Sequence, residues 1–171
     1  MMPTGPDAQG LADRVAIRAC LARYHRAVDR ADEALLRSVY WPDATERHAS
    51  FDGTADAFVE WGLKLRDSFE ACAHQISNVM IDLRGDQAVT EALFTSLQRR
   101  RDPEAGLVVD HLCGRYLDLF EARNGEWRIA RRLVVYDWFE RRVPTPGRSP
   151  LLNGGRFPDD PLYAHLTRQG P

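Results

Sequence analysis

Between Leu107 and Glu140 apolar and polar positions alternate through two long arms, LVVDHLCGRYLDLFEA and EWRIARRLVVYDWFE, parted by an Asn124-Gly125 step. Asn-Gly supplies the positive φ angles of a tight two-residue turn, so the stretch predicts a β-hairpin. Each arm far exceeds the usual strand of about 5–6 residues. Strands that long must curve, and one face must be covered by something else. Alternation puts Leu112, Gly114, Tyr116, Asp118 and Phe120 on one face of the first arm, and Arg132, Val134, Tyr136 and Trp138 on one face of the second. Polar groups mixed with aromatics on one face predict a lined cavity, not a dry core.

Upstream the period is helical. Ile17, Cys20, Leu21, Tyr24 and Val28 recur at steps of three and four, predicting a helix over Leu11 to Arg30. Asp32 reads as the N-cap of a short second helix, EALLRSVYW, with Leu35, Leu36, Val39 and Tyr40 on its inner side, stopped by Pro42. Asp43 to Phe51 reads as a short strand closed by an Asp52-Gly53 turn. Thr54 can cap a third helix, ADAFVEWGLKLRDSF, carrying Phe58, Trp61, Leu65 and Phe69 on one stripe. The period then changes to alternation: a strand over Ala73–Leu83, a turn at Arg84-Gly85-Asp86, a strand over Gln87–Arg100, a polar loop over Arg101–Gly106, and the hairpin. Helices first and antiparallel strands afterwards predict an α+β fold, a curved sheet wrapped around the N-terminal helices. The segments divide as one domain over residues 11–140, an N-terminal tail over 1–10 and a Pro/Gly-rich C-terminal tail over 141–171. The C-terminal tail is expected to be mostly extended, with one helical turn at Pro161 to Leu166, and either to cap the sheet or reach a neighbouring subunit, or to be disordered.

Composition narrows the function classes. The 171 residues, 44% hydrophobic and 28% charged, suit one globular domain with a real core. A net charge of −2 gives no basic field, which argues against a nucleic-acid partner. No apolar run approaches the roughly 18 residues of a membrane span, and the first residues lack the pattern of a signal peptide. Three cysteines without a CxxC spacing fit reduced thiols in a cytoplasmic protein. There is no G-x-G-x-x-G, P-loop or G-x-S-x-G, so no cofactor is expected.

The candidate chemistry is proton transfer. His74 stands near the start of a strand and Asp29 at the end of the first helix. A carboxylate that holds an imidazole fixes its tautomer and makes a competent general base. The competing reading leaves Asp29 a solvated turn residue and His74 a half-buried strand residue. Cys72-x-His74 and His111-x-Cys113 are same-face strand pairs that could hold a metal. His111 and Cys113, however, fall on the parity opposite to Tyr116, so no metal site is expected.

A helix with an aspartate near its end, the aromatic-Trp-Pro-Asp-Ala run of Tyr40 to Ala44, a third helix, a strand histidine, and G-x-W-x-I at Gly125 to Ile129 follow one another in order. This order, over roughly Ala12 to Glu140, resembles the SnoaL-like branch of the nuclear transport factor 2-like superfamily. The resemblance implies a cone-shaped α+β barrel of cystatin-like type, enclosing one deep pocket. In scytalone dehydratase, lindane dehydrochlorinase and bile-acid dehydratase a helix aspartate pairs with a strand histidine that removes the substrate proton; Asp29 and His74 fall on those positions. Tyr24 matches the pocket tyrosine of bile-acid dehydratase and the oxyanion-donating tyrosine of ketosteroid isomerase. His48 falls where ketosteroid isomerase has its basic aspartate and the dehydratases a tyrosine, a departure that keeps a polar group in the pocket. Tyr40, Trp41, Tyr116, Arg132, Val134 and Tyr136 are expected to bind substrate, with partnering of Asp118 or an exposed sheet position as the other readings of Arg132. The implied function is a cofactor-independent lyase of dehydratase type, or an isomerase, acting on a small hydrophobic cyclic molecule. A non-catalytic ligand-binding or structural subunit is the alternative. Apolar residues on the outer sheet face, Leu117, Leu119, Leu133 and Val135, imply a homo-oligomer, a trimer or a dimer.

Overall fold

The computed structural model describes residues 8–144 and 154–167. In chain order it contains α1 (Ala8–Arg30), α2 (Glu33–Ser38), β1 (Tyr40–His48), β2 (Phe51–Thr54), α3 (Ala55–Asp67), β3 (Phe69–Arg84), β4 (Gln87–Asp102), β5 (Gly106–Arg123), β6 (Glu126–Arg142) and α4 (Pro161–Thr167). The six strands form one curved, unclosed sheet in the order β2-β1-β6-β5-β4-β3, and the helices fill its concave side. Residues 1–7 of the expected N-terminal tail, and residues 145–153 and 168–171 of the C-terminal tail, lie outside the described residues.

The hairpin forms as its sequence predicts, with Asn124 at φ 54° and Gly125 at φ 80°. The predicted caps also form: the Asp32 side chain accepts from Leu35 N, and Thr54 from Ala57 N. On α1 the stripe Ile17, Cys20, Leu21, Tyr24 and Ala27 is buried against the sheet. Each fully buried Leu or Ile contributes about 1.5–3 kcal/mol, which seats the helix. Its outer edge serves a second purpose. Arg14 Nη1 and Arg18 Nη2 donate to the carbonyls of Ile81 and Val79 at 2.6 and 2.9 Å, covering polar groups of the edge strand β3.

Several details differ from the sequence reading. The second helix ends at Ser38, so Tyr40 and Trp41 belong to β1, and Pro42 does not stop a helix. Pro42 sits where the β1–β6 register shifts between Tyr40 and Thr45, a place where a missing N–H breaks no ladder bond. The turn after β1 falls at Ala49-Ser50, with Ala49 at φ 52°, while Asp52 and Gly53 lie within β2 opposite Arg47 and Glu46. The sheet is not wholly antiparallel, because β1 pairs with β6 in parallel. Parallel neighbours need a long crossover, which α3 and the strands between β1 and β6 provide.

Bulges reset the alternation. Cys113 pairs with Trp138 but Gly114 with Tyr136, leaving Asp137 as an extra residue in β6. Trp138 is thereby turned off the inner face and packs against His111, 4.9 Å between ring centroids. A second bulge at Ala130 keeps both Ile129 and Arg132 inward. A third at Glu70 turns both Phe69 and Cys72 inward, two steps before His74.

The C-terminal segment packs on the helices and on the start of β3. Arg156 Nη2 donates to Arg66 O and Phe69 O at 3.2 and 3.0 Å, Phe157 N to Arg30 O at 2.7 Å, and Tyr163 OH to Asp32 Oδ2 at 3.0 Å.

Candidate active site

At the mouth of the cone, between α1, α3, β1 and β3, lies a cavity of about 50 Å³. Its polar lining includes Tyr24, His48, Arg66, Cys72, His74 and Gln98, and its apolar lining Val28, Leu36, Phe58, Trp61, Leu63 and Phe69.

His74 is held from two directions. Its Nδ1 lies 2.7 Å from Asp29 Oδ1, and its backbone N–H donates to Asp29 Oδ2 at 3.0 Å. One carboxylate therefore fixes both the strand and the ring, and leaves Nε2 as the nitrogen for a ligand. Asp29 can do this because it ends α1 beside the edge strand. Cys72 Sγ lies 3.6 Å from the same Nδ1. Burial alone would push the imidazole pKa down; the hydrogen bonds to Asp29 and Cys72 outweigh it and hold it at about 9. Arg66, buried in the last turn of α3, donates to Asp29 O at 3.1 Å and Phe69 O at 2.9 Å, which ties the end of α1 to the start of β3. Burial pushes its pKa down.

Asp29, Cys72 and His74 are also the one cluster of potential metal ligands among the described residues, their ligand atoms lying within 4.8 Å of one another. Two ligand atoms on one tetrahedral zinc stand about 3.3–3.5 Å apart. The 2.7 Å between Nδ1 and Oδ1 is a hydrogen-bond separation, and Oδ2 is taken by the His74 backbone. The donor set suits a proton better than an ion.

A second histidine–carboxylate pair faces the same cavity. His48 Nδ1 lies 3.0 Å from Glu46 Oε1, the Glu46 side chain is fully buried, and Tyr40 OH donates to the other carboxylate oxygen. The His48 ring stacks on Phe58 at 5.2 Å and approaches Trp61 and Tyr136 at 6.0 Å each.

Beneath the cavity is a polar, aromatic floor. Arg132 is wholly buried, bonded through Nε and Nη2 to both oxygens of Asp118 at 2.7 and 2.8 Å. Its guanidinium carbon lies 4.0 Å from the Tyr24 ring centroid and 4.3 Å from that of Tyr116. Burial and the nearby Glu46 carboxylate push the Tyr24 pKa up, so Tyr24 stays a neutral donor. His25 stacks against His74 at 5.7 Å, and burial, with the charges of His74 and Arg132, pushes its pKa down to about 2. Its buried Nε2 has no hydrogen-bond partner among the described residues.

The structure thus brings Tyr24, Asp29, His48 and His74 together. It brings none of the six expected substrate contacts into the cavity lining. Trp41 points out of the cone, donating to Glu121 O at 3.0 Å with Arg123 and Arg128 over its ring; strand alternation turns it away once Tyr40 faces inward. Tyr40, Tyr116, Arg132 and Val134 are buried in the layer below. Tyr136 stands at the rim, 39% exposed, and burial raises its pKa to about 12. Glu46, His25 and Arg66 are absent from the sequence reading. Signals for two existed: Glu46 is two positions from His48 on a strand, and His25 is four from Asp29 on a helix.

A family model described as a SnoaL-like domain matches residues 9–133. Several solved structures share the fold at identities that speak for the fold alone. A proposed scytalone dehydratase from Novosphingobium aromaticivorans DSM 12444 is 19% identical with a TM-score of 0.69, covering 81% of this chain and 96% of its own. Hexachlorocyclohexane dehydrochlorinase LinA-type3 from Novosphingobium barchaimii LL02 is 17% identical with a TM-score of 0.71, covering 85% and 100%. A cystatin-like protein of unknown function from Nostoc punctiforme is 20% identical with a TM-score of 0.62, covering 74% and 92%. No curated protein sequence matches the chain. Among the described residues, no helix is long and apolar enough to cross a membrane.

Proposed function

The chain belongs to the SnoaL-like domain family, and on that premise we propose that it is a cofactor-independent lyase of dehydratase type, acting on a small, largely apolar cyclic molecule. The observation that carries the reading is the Asp29–His74 pair, joined at 2.7 Å at the wall of a mostly apolar cavity. His74 Nε2 removes a proton from a carbon beside a carbonyl. Asp29 stabilises the imidazolium that forms, and Tyr24 donates to the oxygen where negative charge collects. One such donor in a water-poor site is worth about 3–4 kcal/mol of barrier. The enolate then expels a leaving group from the neighbouring carbon. A proposed dehydratase and a dehydrochlorinase among the proteins of like fold support this chemistry.

A cavity of about 50 Å³ is far below the ~300–1,000 Å³ of typical ligand sites. Binding therefore needs the side chains of α3's second half, Trp61, Leu63 and Leu65, to swing outward. Leu65 already stands 43% exposed at the rim.

The test is turnover of cyclic β-hydroxy ketones by purified, folded variants. His74→Ala is expected to abolish dehydration, and Asp29→Asn to lower it by about 100-fold or more. Near-normal rates in His74→Ala would sink the mechanism. Tight ligand binding with no turnover in the native protein would favour a binding module.

A further inference from the structure

The Asp29–His74 pair does not use the second histidine that faces the cavity. Glu46 is among the most buried groups of the molecule, its side chain fully inaccessible. Removing a carboxylate from water costs several kcal/mol unless its oxygens are satisfied. Tyr40 satisfies one and His48 Nδ1 the other. Phe58 packs flat on the imidazole, and Trp61 and Tyr136 close its sides. His48 is thus positioned as His74 is, with Nδ1 on a buried carboxylate and Nε2 left for a ligand.

We propose that Glu46, steadied by Tyr40, is a positioning residue that makes His48 the general acid of the reaction, and that the leaving group is consequently a hydroxyl. The inference rests on His74 being the base. Hydroxide is a poor leaving group and needs a proton, whereas a halide or carboxylate departs without one. In the step, the C–H bond breaks, with its proton passing to His74 Nε2. Its electron pair forms the carbon–carbon double bond, by way of the enolate held by Tyr24. The C–O bond then breaks, and the hydroxyl takes the Nε2 proton of cationic His48 and leaves as water. Proton exchange with solvent through the rim at Tyr136 restores both histidines. The buried carboxylate holds the Nδ1 proton of the ring throughout, so the proton that moves is the one on Nε2. The groups against His48 are Glu46 from β1, Phe58 and Trp61 from α3, and Tyr136 from β6.

Two probes of one carbon skeleton test this, 3-hydroxyindan-1-one and its 3-acetoxy counterpart, both eliminating to inden-1-one. In Glu46→Gln, the ratio of kcat/KM for the hydroxyl probe to that for the acetoxy probe is expected to fall about 30-fold or more, with a smaller fall in Tyr40→Phe. His74→Ala loses both probes, so failure of the base and failure of the acid read differently. Long-range 1H–15N NMR needs no substrate. Neutral His48 should carry its proton on Nδ1 in the native protein and on Nε2 in Glu46→Gln, where the amide can donate in turn. An unchanged leaving-group ratio in Glu46→Gln would overturn the proposal, as would a His48 tautomer indifferent to Glu46.

Discussion

At the scale of the residue, the question is what sets the protonation of His74. Asp29 and Cys72 outweigh burial and hold its pKa at about 9, and a base must be neutral to take a proton. At pH 7 the neutral share is on the order of 1%. For α-proton exchange, which needs the base alone, we therefore expect kcat/KM to climb about tenfold per pH unit from pH 6 to 8 and to level near 9. In Asp29→Asn the plateau should come at lower pH and at a lower rate. A native profile that is flat across this range would contradict the assignment. The sign for stability is the reverse: a raised pKa makes the pair's contribution full below about 6.5 and lost as the pH rises through 9. The order of motifs made the His74 and Asp29 pairing legible in the sequence. Glu46 was equally visible at two positions from His48, but alternation alone does not say that a carboxylate faces inward. His25 was missed because a helical stripe drawn from apolar residues passes over a polar one, although His25 and Asp29 share a face.

At the scale of the element, bulges aim the side chains. Alternation read along β6 without them puts Trp138 beside Tyr136, whereas the extra residue at Asp137 turns it out. Such an insertion leaves no mark in a hydrophobic pattern. Its companion on β5 is Gly114, where an added Cβ would come within 2.2 Å of Val135 O and 2.8 Å of the Phe94 ring. Backbone cannot yield as a side chain can. Gly114→Ala is expected to lower stability by about 1–3 kcal/mol, read as a lower urea midpoint, and to disturb Tyr136 opposite it. An unchanged midpoint would mean that the two strands are not so tightly joined. The second helix shows the opposite failure of the sequence reading. Leu35, Leu36, Val39 and Tyr40 fit a helical stripe, yet the chain leaves the helix at Ser38 because Tyr40 gains a sheet partner in Ile129. Long-range pairing of that kind overrides local propensity.

At the scale of the molecule, the change of period from helical to alternating made the α+β class legible, and the length of the hairpin made the curvature so. The parallel junction of β1 with β6 was not legible, since nothing local marks which strand a chain will join. The outer face of the sheet bears on assembly. Leu133 and Val89 are 38% and 44% exposed, with Leu117, Leu119 and Val135 half-buried beside them. A patch of that kind is costly to leave in water, so we expect a homo-oligomer, a trimer or a dimer, built through this face. Light scattering at micromolar concentration should give a multiple of 19.4 kDa, and Leu133→Glu should return the monomer. A monomeric native protein would refute it.

The most direct test isolates proton removal from everything that follows. With 1-indanone in D2O there is no leaving group, so loss of the α-proton signal in 1H NMR reports abstraction alone. The native protein is expected to accelerate that exchange above buffer at pH 8–9, and His74→Ala to bring it down by about 100-fold or to background. Exchange by His74→Ala within twofold of the native rate would contradict the central claim that His74, held by Asp29, is the base.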